Sequence, residues 1–265
     1  MKDSNVSNVK INTSSTAIKA LMVLEAIAAS AQPISITYIV DKVDLDKSTA
    51  YRMLTTLVDA GYIIRDDISK RYRLSYKVVT LSRNLLADNE VSLLIRQTLT
   101  QISEATQETL HLAVWDGDNA TILVQRVKGT QLVTADFEIG DRSPLHCSSI
   151  GKAILAFQDF RIIEKTIAQG LPKMASKTIT DPNEFRQELQ RIRSQGYAFD
   201  DREFSDNRRC IAVPIFENGG RVTRGISIAG PDFRFTLEKL EELKKPMLEA
   251  SLKLSEQLGG VPWKT

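Results

Sequence analysis

Two cysteines, Cys147 and Cys210, among 265 residues are too few for a disulfide framework, and a reducing compartment, the cytoplasm, is expected. No apolar run approaches the roughly 18–20 residues that cross a bilayer. The opening stretch MKDSNVSNVKINTSS lacks the apolar centre of a signal peptide. Charge of one sign is missing too. Lys and Arg number 35 against 33 Asp and Glu, a formal net charge of +2, which excludes indiscriminate binding to polyanions. Neither internal repeats nor low-complexity segments are present. Spacings of the CxxC or HxxxH kind are absent, so no metal site is expected. The stretch GDRSPLHC is not a phosphate loop, and no cofactor is expected.

What is present begins at Ser35. Ile39, Val40 and Val43 recur at helical spacing, with Ser35 or Thr37 placed to cap the first turn. Asp44 to Asp46 forms a polar corner. A second helix is predicted from about Lys47, with Ala50, Met53, Leu54, Leu57 and Val58 on one face and Gly61 closing it. The opposite face carries Lys47, Ser48, Thr49, Tyr51 and Arg52, the donors and cations that a major-groove recognition helix presents. Tyr62-Ile63-Ile64 and Tyr72-Arg73-Leu74 flank RDDISKR as a hairpin wing with Lys70 and Arg71 near its tip. An earlier helix, Thr16–Ala29, shows an apolar stripe of Ile18, Leu21, Met22, Leu24, Ala26 and Ile27, capped by Thr13, Ser14 or Ser15.

Together these predict a winged helix-turn-helix over 13–76, preceded by a disordered arm over 1–12. Its DNA-contacting set is Ser35, Lys47, Ser48, Thr49, Tyr51, Arg52, Lys70 and Arg71. Met1–Ser75 holds ten Lys and Arg against eight Asp and Glu, so binding must rest on placed cations and on dimerisation.

Lys77–Ala87 and Val91–Thr106 read as helices, interrupted at Asn89, giving a helical linker over 77–90. From His111 the period changes to two, and HLAVWDGDNATILVQRV reads as a hairpin turning at Asp116–Asn119. A strand near Leu132–Phe137 is expected next. A loop then feeds a helix that begins near Ser148. Asp181–Gln195 is a further helix, opened by Asp181 as cap and Pro182 at its first position. Strands CIAVPIF and VTRGISIAG, joined by Glu217–Gly220, precede a long helix over Leu237–Leu258. Strands with segregated helices predict an α+β domain over 91–265.

The segments SPLHCSSIGKAILA, GYAFDD, NRRCIAVPIF and ISIAGP, in this order and spacing, make the chain resemble the IclR family of bacterial transcriptional regulators over nearly its whole length. The resemblance implies a winged-helix domain, a helical linker and a GAF-like α/β effector-binding domain with an antiparallel sheet. It implies homodimers or dimers of dimers on palindromic double-stranded operators. The implied activity is regulation of a catabolic operon, commonly repression, under a small carboxylate or aromatic acid. Carried residue by residue, the family's polar ligand contacts fall on Asp200, Cys210 and Ser227, and its backbone donors on Ser149 and Ile150. The chain departs from the pattern at Ala229, where a second serine is frequent, and at Ser149 and Ile150, where smaller residues are.

The residues themselves point the same way. A helix start at Ser148-Ser149-Ile150-Gly151 presents backbone N–H groups with partial positive charge. Ser148, Ser149 and Ser227 can donate to carboxylate oxygens, and nothing cationic is required. The effector-binding set is thus Ser148, Ser149, Ile150, Asp200, Cys210 and Ser227, for a small anionic metabolite.

Four other readings compete. Cys210 or Cys147 with His146 or His111 could be a nucleophile and base. However, Cys210 opens a buried strand, where cysteine acts as a small apolar residue, and no orienting third group exists. No catalytic residue is expected. His146, Cys147 and Cys210 could form part of a zinc site, yet adjacent ligands diverge. Asp200 and Asp201 adjoin in a loop, where a surface turn is the plain reading and a pocket role comes only from the resemblance. A ligand-binding protein using its helix-turn-helix for protein contacts is the alternative to a DNA-binding one.

Overall fold

The computed structural model describes residues 14–86, 90–134 and 137–261, so the proposed arm, Thr13 and Asn89 lie outside them. The chain divides into two compact units, Met1–Ala87 and Asp88–Thr265.

In the first unit, α1 (Ser15–Ala28), α2 (Ile36–Val43) and α3 (Lys47–Asp59) precede a ribbon of β1 (Ile63–Arg65) and β2 (Tyr72–Leu74), and α4 (Lys77–Leu86) follows. Each of the first three helices is opened by a side chain: Ser14, Ser35 and Asp46 accept from the amides of Ala17, Tyr38 and Thr49. Asp44, in the left-handed region at φ 50°, turns the chain between α2 and α3. Ile34 pairs with Tyr72, tying the segment before α2 to the wing. The core gathers Val23, Ile27, Ile39, Leu54, Leu57, Ile63 and Tyr72. The stripe expected on α1 is corrected: Val23 and Ile27 are its buried residues, whereas Ile18, Leu21 and Met22 are exposed. Apolar residues surround that helix almost completely, so composition alone did not single out the inward side.

The second unit opens with α5 (Glu90–Thr106). It builds one six-stranded sheet from β3 (Leu110–Trp115), β4 (Ala120–Val127), β5 (Arg142–Pro144), β6 (Ala198–Asp201), β7 (Arg208–Glu217) and β8 (Arg221–Pro231). The spatial order is β5-β4-β3-β8-β7-β6, antiparallel throughout. Period two sorts each strand between two apolar layers. Leu110, Leu112, Ile211, Val213, Ile226 and Ile228 pack with α5 and with α9 (Leu237–Gln257). On the other face, Ala113, Ala198, Ala212 and Phe216 pack with α6 (Ser149–Leu155) and α8 (Pro182–Gln195).

Three local expectations are corrected here. The described residues of Leu132–Phe137 form no strand; β5 lies further on, at Arg142–Pro144. A helix that the sequence reading passed over, α7 (Phe160–Ala168), is capped by Asp159. Asp200 and Asp201 lie on β6 rather than in a loop, and alternation separates them. Asp200 is fully buried and Asp201 is partly exposed.

Candidate nucleic-acid face and small-molecule pocket

The exposed side of α3 carries Lys47, Ser48, Tyr51, Arg52 and also Thr55, which the sequence reading omitted although it lies one turn beyond Tyr51. Asp46 accepts from the Ser48 hydroxyl at 2.6 Å and from the Thr49 amide at 2.9 Å. These bonds hold the Asp46 carboxyl well below the usual range. Thr49 is removed from the DNA-facing set: it is buried, one turn before Met53 on the core side. Ser35 is half-buried and committed to capping α2 at 3.3 Å. At the wing, Lys70 is exposed and has a left-handed φ of 57°. Arg71 is exposed as well, and one of its Nη groups donates to the carbonyl of Pro33 at 3.1 Å. Lys47, Ser48, Tyr51, Arg52 and Lys70 therefore remain as outward-facing side chains, with part of Arg71.

In the second unit, a small cavity, partly open to solvent, lies on the α6 face of the sheet. All six residues of the expected effector set line it: Ser148, Ser149, Ile150, Asp200, Cys210 and Ser227. Strand register explains how distant segments converge. Asp200 of β6 pairs with Cys210 of β7, which pairs with Ala229 of β8. In the next row, Ala212 pairs with Ser227, and Ser227 with His111 of β3.

The roles within the set differ from expectation. Ser148 caps α6: its hydroxyl donates to Pro144 O at 2.7 Å and accepts from the Gly151 amide at 3.1 Å, so it has no proton left for a ligand. The first-turn amides of Ser149 and Ile150 have no intrahelical acceptor. The Ser149 hydroxyl and the Arg208 guanidinium both favour the Cys210 thiolate, and burial outweighs them. Burial pushes both Cys210 and Cys147 up to about 12, which makes them inert thiols and unfit nucleophiles. His146 does not line this cavity; its Nε2 contacts Pro172 O at 2.9 Å. Lys152 is fully buried and ion-paired with Glu203, and with Glu188 at 3.3 Å, so its charge is spent away from the cavity. Among the described residues, no three His, Cys, Asp or Glu side chains are grouped to hold a metal.

The cavity nevertheless contains a cation. The sequence reading required no cation here, yet Arg208, the first residue of β7 and two places before Cys210 on the same face, lines the cavity. Its guanidinium lies over Phe137 at 4.3 Å and over Phe204 at 4.6 Å. Its Nη2 stands 3.8 Å from Asp200 Oδ2. Asp200 Oδ1 accepts from the amides of Glu203 at 2.7 Å and Phe204 at 3.3 Å. Burial raises the Asp200 carboxyl, against the pull of Arg208 and of these amides. His111 is also in the wall, and burial, aided by Arg126 and Arg208, pushes it down to about 4. Within the described residues, His111 Nε2, Asp200 Oδ2 and Arg208 Nε are buried without a hydrogen-bond partner. Ala113, Thr121, Leu123, Phe137, Ser143 and Ala229 complete the wall. Only period-two alternation on β3 and β7 could have flagged His111 and Arg208 from sequence.

Comparison with known proteins covers both units. The profile described as "IclR helix-turn-helix domain" matches residues 16–67, and "Bacterial transcriptional regulator IclR C-terminal" matches 84–256. The HTH-type transcriptional regulator KdgR of Escherichia coli is 32% identical over 92% of this chain and 93% of its own length. The transcriptional repressor IclR of the same organism is 27% identical over 92% of this chain and 89% of its own. The crystal structure of the Thermotoga maritima IclR aligns with a TM-score of 0.70 at 30% identity, over 92% of this chain and 98% of that one.

Proposed function

This chain belongs to the IclR family of bacterial transcriptional regulators, a family of DNA-binding proteins and not of enzymes, and we propose that it represses a catabolic operon under the control of a small organic acid. The cavity carries this reading, because a half-buried cation, Arg208, and two buried hydroxyls, Ser149 and Ser227, converge on it. Repression is supported by the names of two relatives, the transcriptional repressor IclR and an acetate operon repressor.

DNA would be contacted by Lys47, Ser48, Tyr51 and Arg52 on α3, with Lys70 and Arg71 on the wing reaching phosphates. The operator would be palindromic and the working unit a homodimer or a dimer of dimers, which sets two recognition helices one DNA turn apart. Exposed Ile18, Leu21 and Met22 on α1 and Val79 and Leu81 on α4 support self-association, since a monomer leaves them in water. No helix among the described residues is long and apolar enough to cross a membrane. The proposed place of action is the cytoplasm, with the DNA.

An acid would act only through unequal affinity for two arrangements of the protein, one of which binds the operator better. Footprinting on the DNA upstream of the protein's own gene, with and without carboxylic acids, tests the proposal. A protected palindrome whose occupancy an acid lowers supports it. An operator whose occupancy rises would instead make the protein an activator or a co-repressed regulator.

A further inference from the structure

The resemblance assigns no cation to the cavity, yet Arg208 is there with a buried, unbonded Nε. We propose that Arg208 reads the effector's carboxylate and that the effector is a 2-hydroxy acid, whose hydroxyl donates to Oδ2 of Asp200. This rests on the reading of the cavity as an organic-acid site.

The argument starts from what each atom can still do. Phe137 and Phe204 lie against the Arg208 guanidinium at 4.3 and 4.6 Å, so ring carbons occupy its surroundings and its edge is what remains for an acceptor. A planar carboxylate meets such an edge with two parallel N–H···O bonds. Asp200 is held rigidly, with Oδ1 bonded to two amides, while Oδ2 is wholly buried and meets no donor among the described residues. An unsatisfied buried oxygen favours any ligand that brings a donor to it. The 3.8 Å between Arg208 Nη2 and Asp200 Oδ2 is a short span. Carboxylate and hydroxyl on neighbouring carbons bridge it, and groups far apart on a ligand do not.

The same chemistry discriminates against near neighbours. A simple monocarboxylate leaves Oδ2 unmet. A 2-keto acid presents only acceptors and sets a carbonyl oxygen against a carboxylate oxygen. A second carboxylate would set like charges together. A diol satisfies Asp200 and leaves Arg208 without its anion. His111 Nε2, also unbonded, is available to a further hydroxyl of the ligand.

The test is calorimetric titration of the full-length protein at pH 7.5 with two matched sets. One is lactate, propionate, pyruvate and propane-1,2-diol; the other is mandelate, phenylacetate and phenylglyoxylate. In at least one set the hydroxy acid should bind about tenfold or more tighter than its deoxy and keto partners, the size of one hydrogen bond to a charged group. Asp200→Asn should erase that preference, because its amide can serve a keto oxygen. Arg208→Gln should weaken every acid about tenfold or more. The wild-type comparison needs no variant, so misfolding cannot shield the proposal. Acids that bind with no preference for the hydroxyl, or an Arg208→Gln protein with unchanged affinities, overturn this inference and leave the acid site standing. Failure of all six acids to bind overturns both.

Discussion

Asp200 Oδ2 and Arg208 Nη2 face one another at 3.8 Å inside the cavity, beyond hydrogen-bond distance but close enough for the cation to favour the ionised form of Asp200. Arg208 is the largest influence that favours the Asp200 carboxylate against burial. Arg208→Leu should therefore push that carboxyl further up. A carboxyl raised in the folded state adds stability at low pH that is lost as pH rises through its folded value. The variant should lose roughly 1–3 kcal/mol relative to wild type, the cost of an unsatisfied buried polar group, and the loss should grow with pH. Melting curves from pH 4 to 8 check this, and adding Asp200→Asn should flatten the pH dependence of the difference.

His111 has the opposite sign. Its folded value is depressed to about 4 from 6.5, chiefly by burial. The stability it contributes is fully present above pH 6.5 and is lost as pH falls through 4, a total of about 3 kcal/mol. His111→Gln should cancel that part of the acid loss. The relevant quantity is the difference between the wild-type and variant curves. Glu203, raised to about 7 by burial, contributes a trend of the other sign to both proteins.

Gly151 lies where the loop before α6 crosses the helix's first turn. A Cβ there would meet Leu145 Cα at 2.6 Å and Pro144 O at 2.7 Å, both backbone atoms that cannot swing away. Gly151→Ala should cost about 1–3 kcal/mol by overpacking and should displace Ser149 and Ile150 from the cavity wall. Thermal melting should show the first effect and weakened acid binding the second. Acid-free DNA affinity should change little.

On α3, Arg52→Ala should cost about 1–3 kcal/mol of discrimination between operator and altered operators. Lys70→Ala at the wing tip should weaken binding to all sequences alike and reduce the salt slope by about one. Thr49→Val should leave DNA affinity unchanged, because Thr49 is buried. Shift assays on matched and mutated sites at two salt concentrations separate the three.

The two functional surfaces were legible to different depths. The face of α3 was readable because helical periodicity assigns sides directly. Only Thr49 was misplaced, and it sits at the boundary between the two sides. The cavity was readable at Ser148–Ile150, where a cap signal marks a helix start, and at Asp200, Cys210 and Ser227 through family motifs. Arg208 lies inside the motif NRRCIAVPIF without having been given a role there, and His111 lies outside the motifs. The two residues converge only through strand pairing across β3, β8 and β7, a long-range event that local pattern does not encode. Asp200 misled in the same way: two adjacent aspartates are unfavourable in a strand, and tertiary burial overrode that preference. The apolar surround of α1 concealed its inward side, and the described residues of Leu132–Phe137 pair with no strand despite their strand-like composition.

The most direct test of the account is the binding of the purified full-length protein to the DNA upstream of its own gene. It is measured at two salt concentrations, with and without the matched acids. The account predicts selective, salt-sensitive binding to one palindromic site, with the hydroxy acid of one set lowering occupancy more than its deoxy and keto partners. Equal affinity for operator and unrelated DNA, at both salt concentrations and unmoved by every acid, would contradict it.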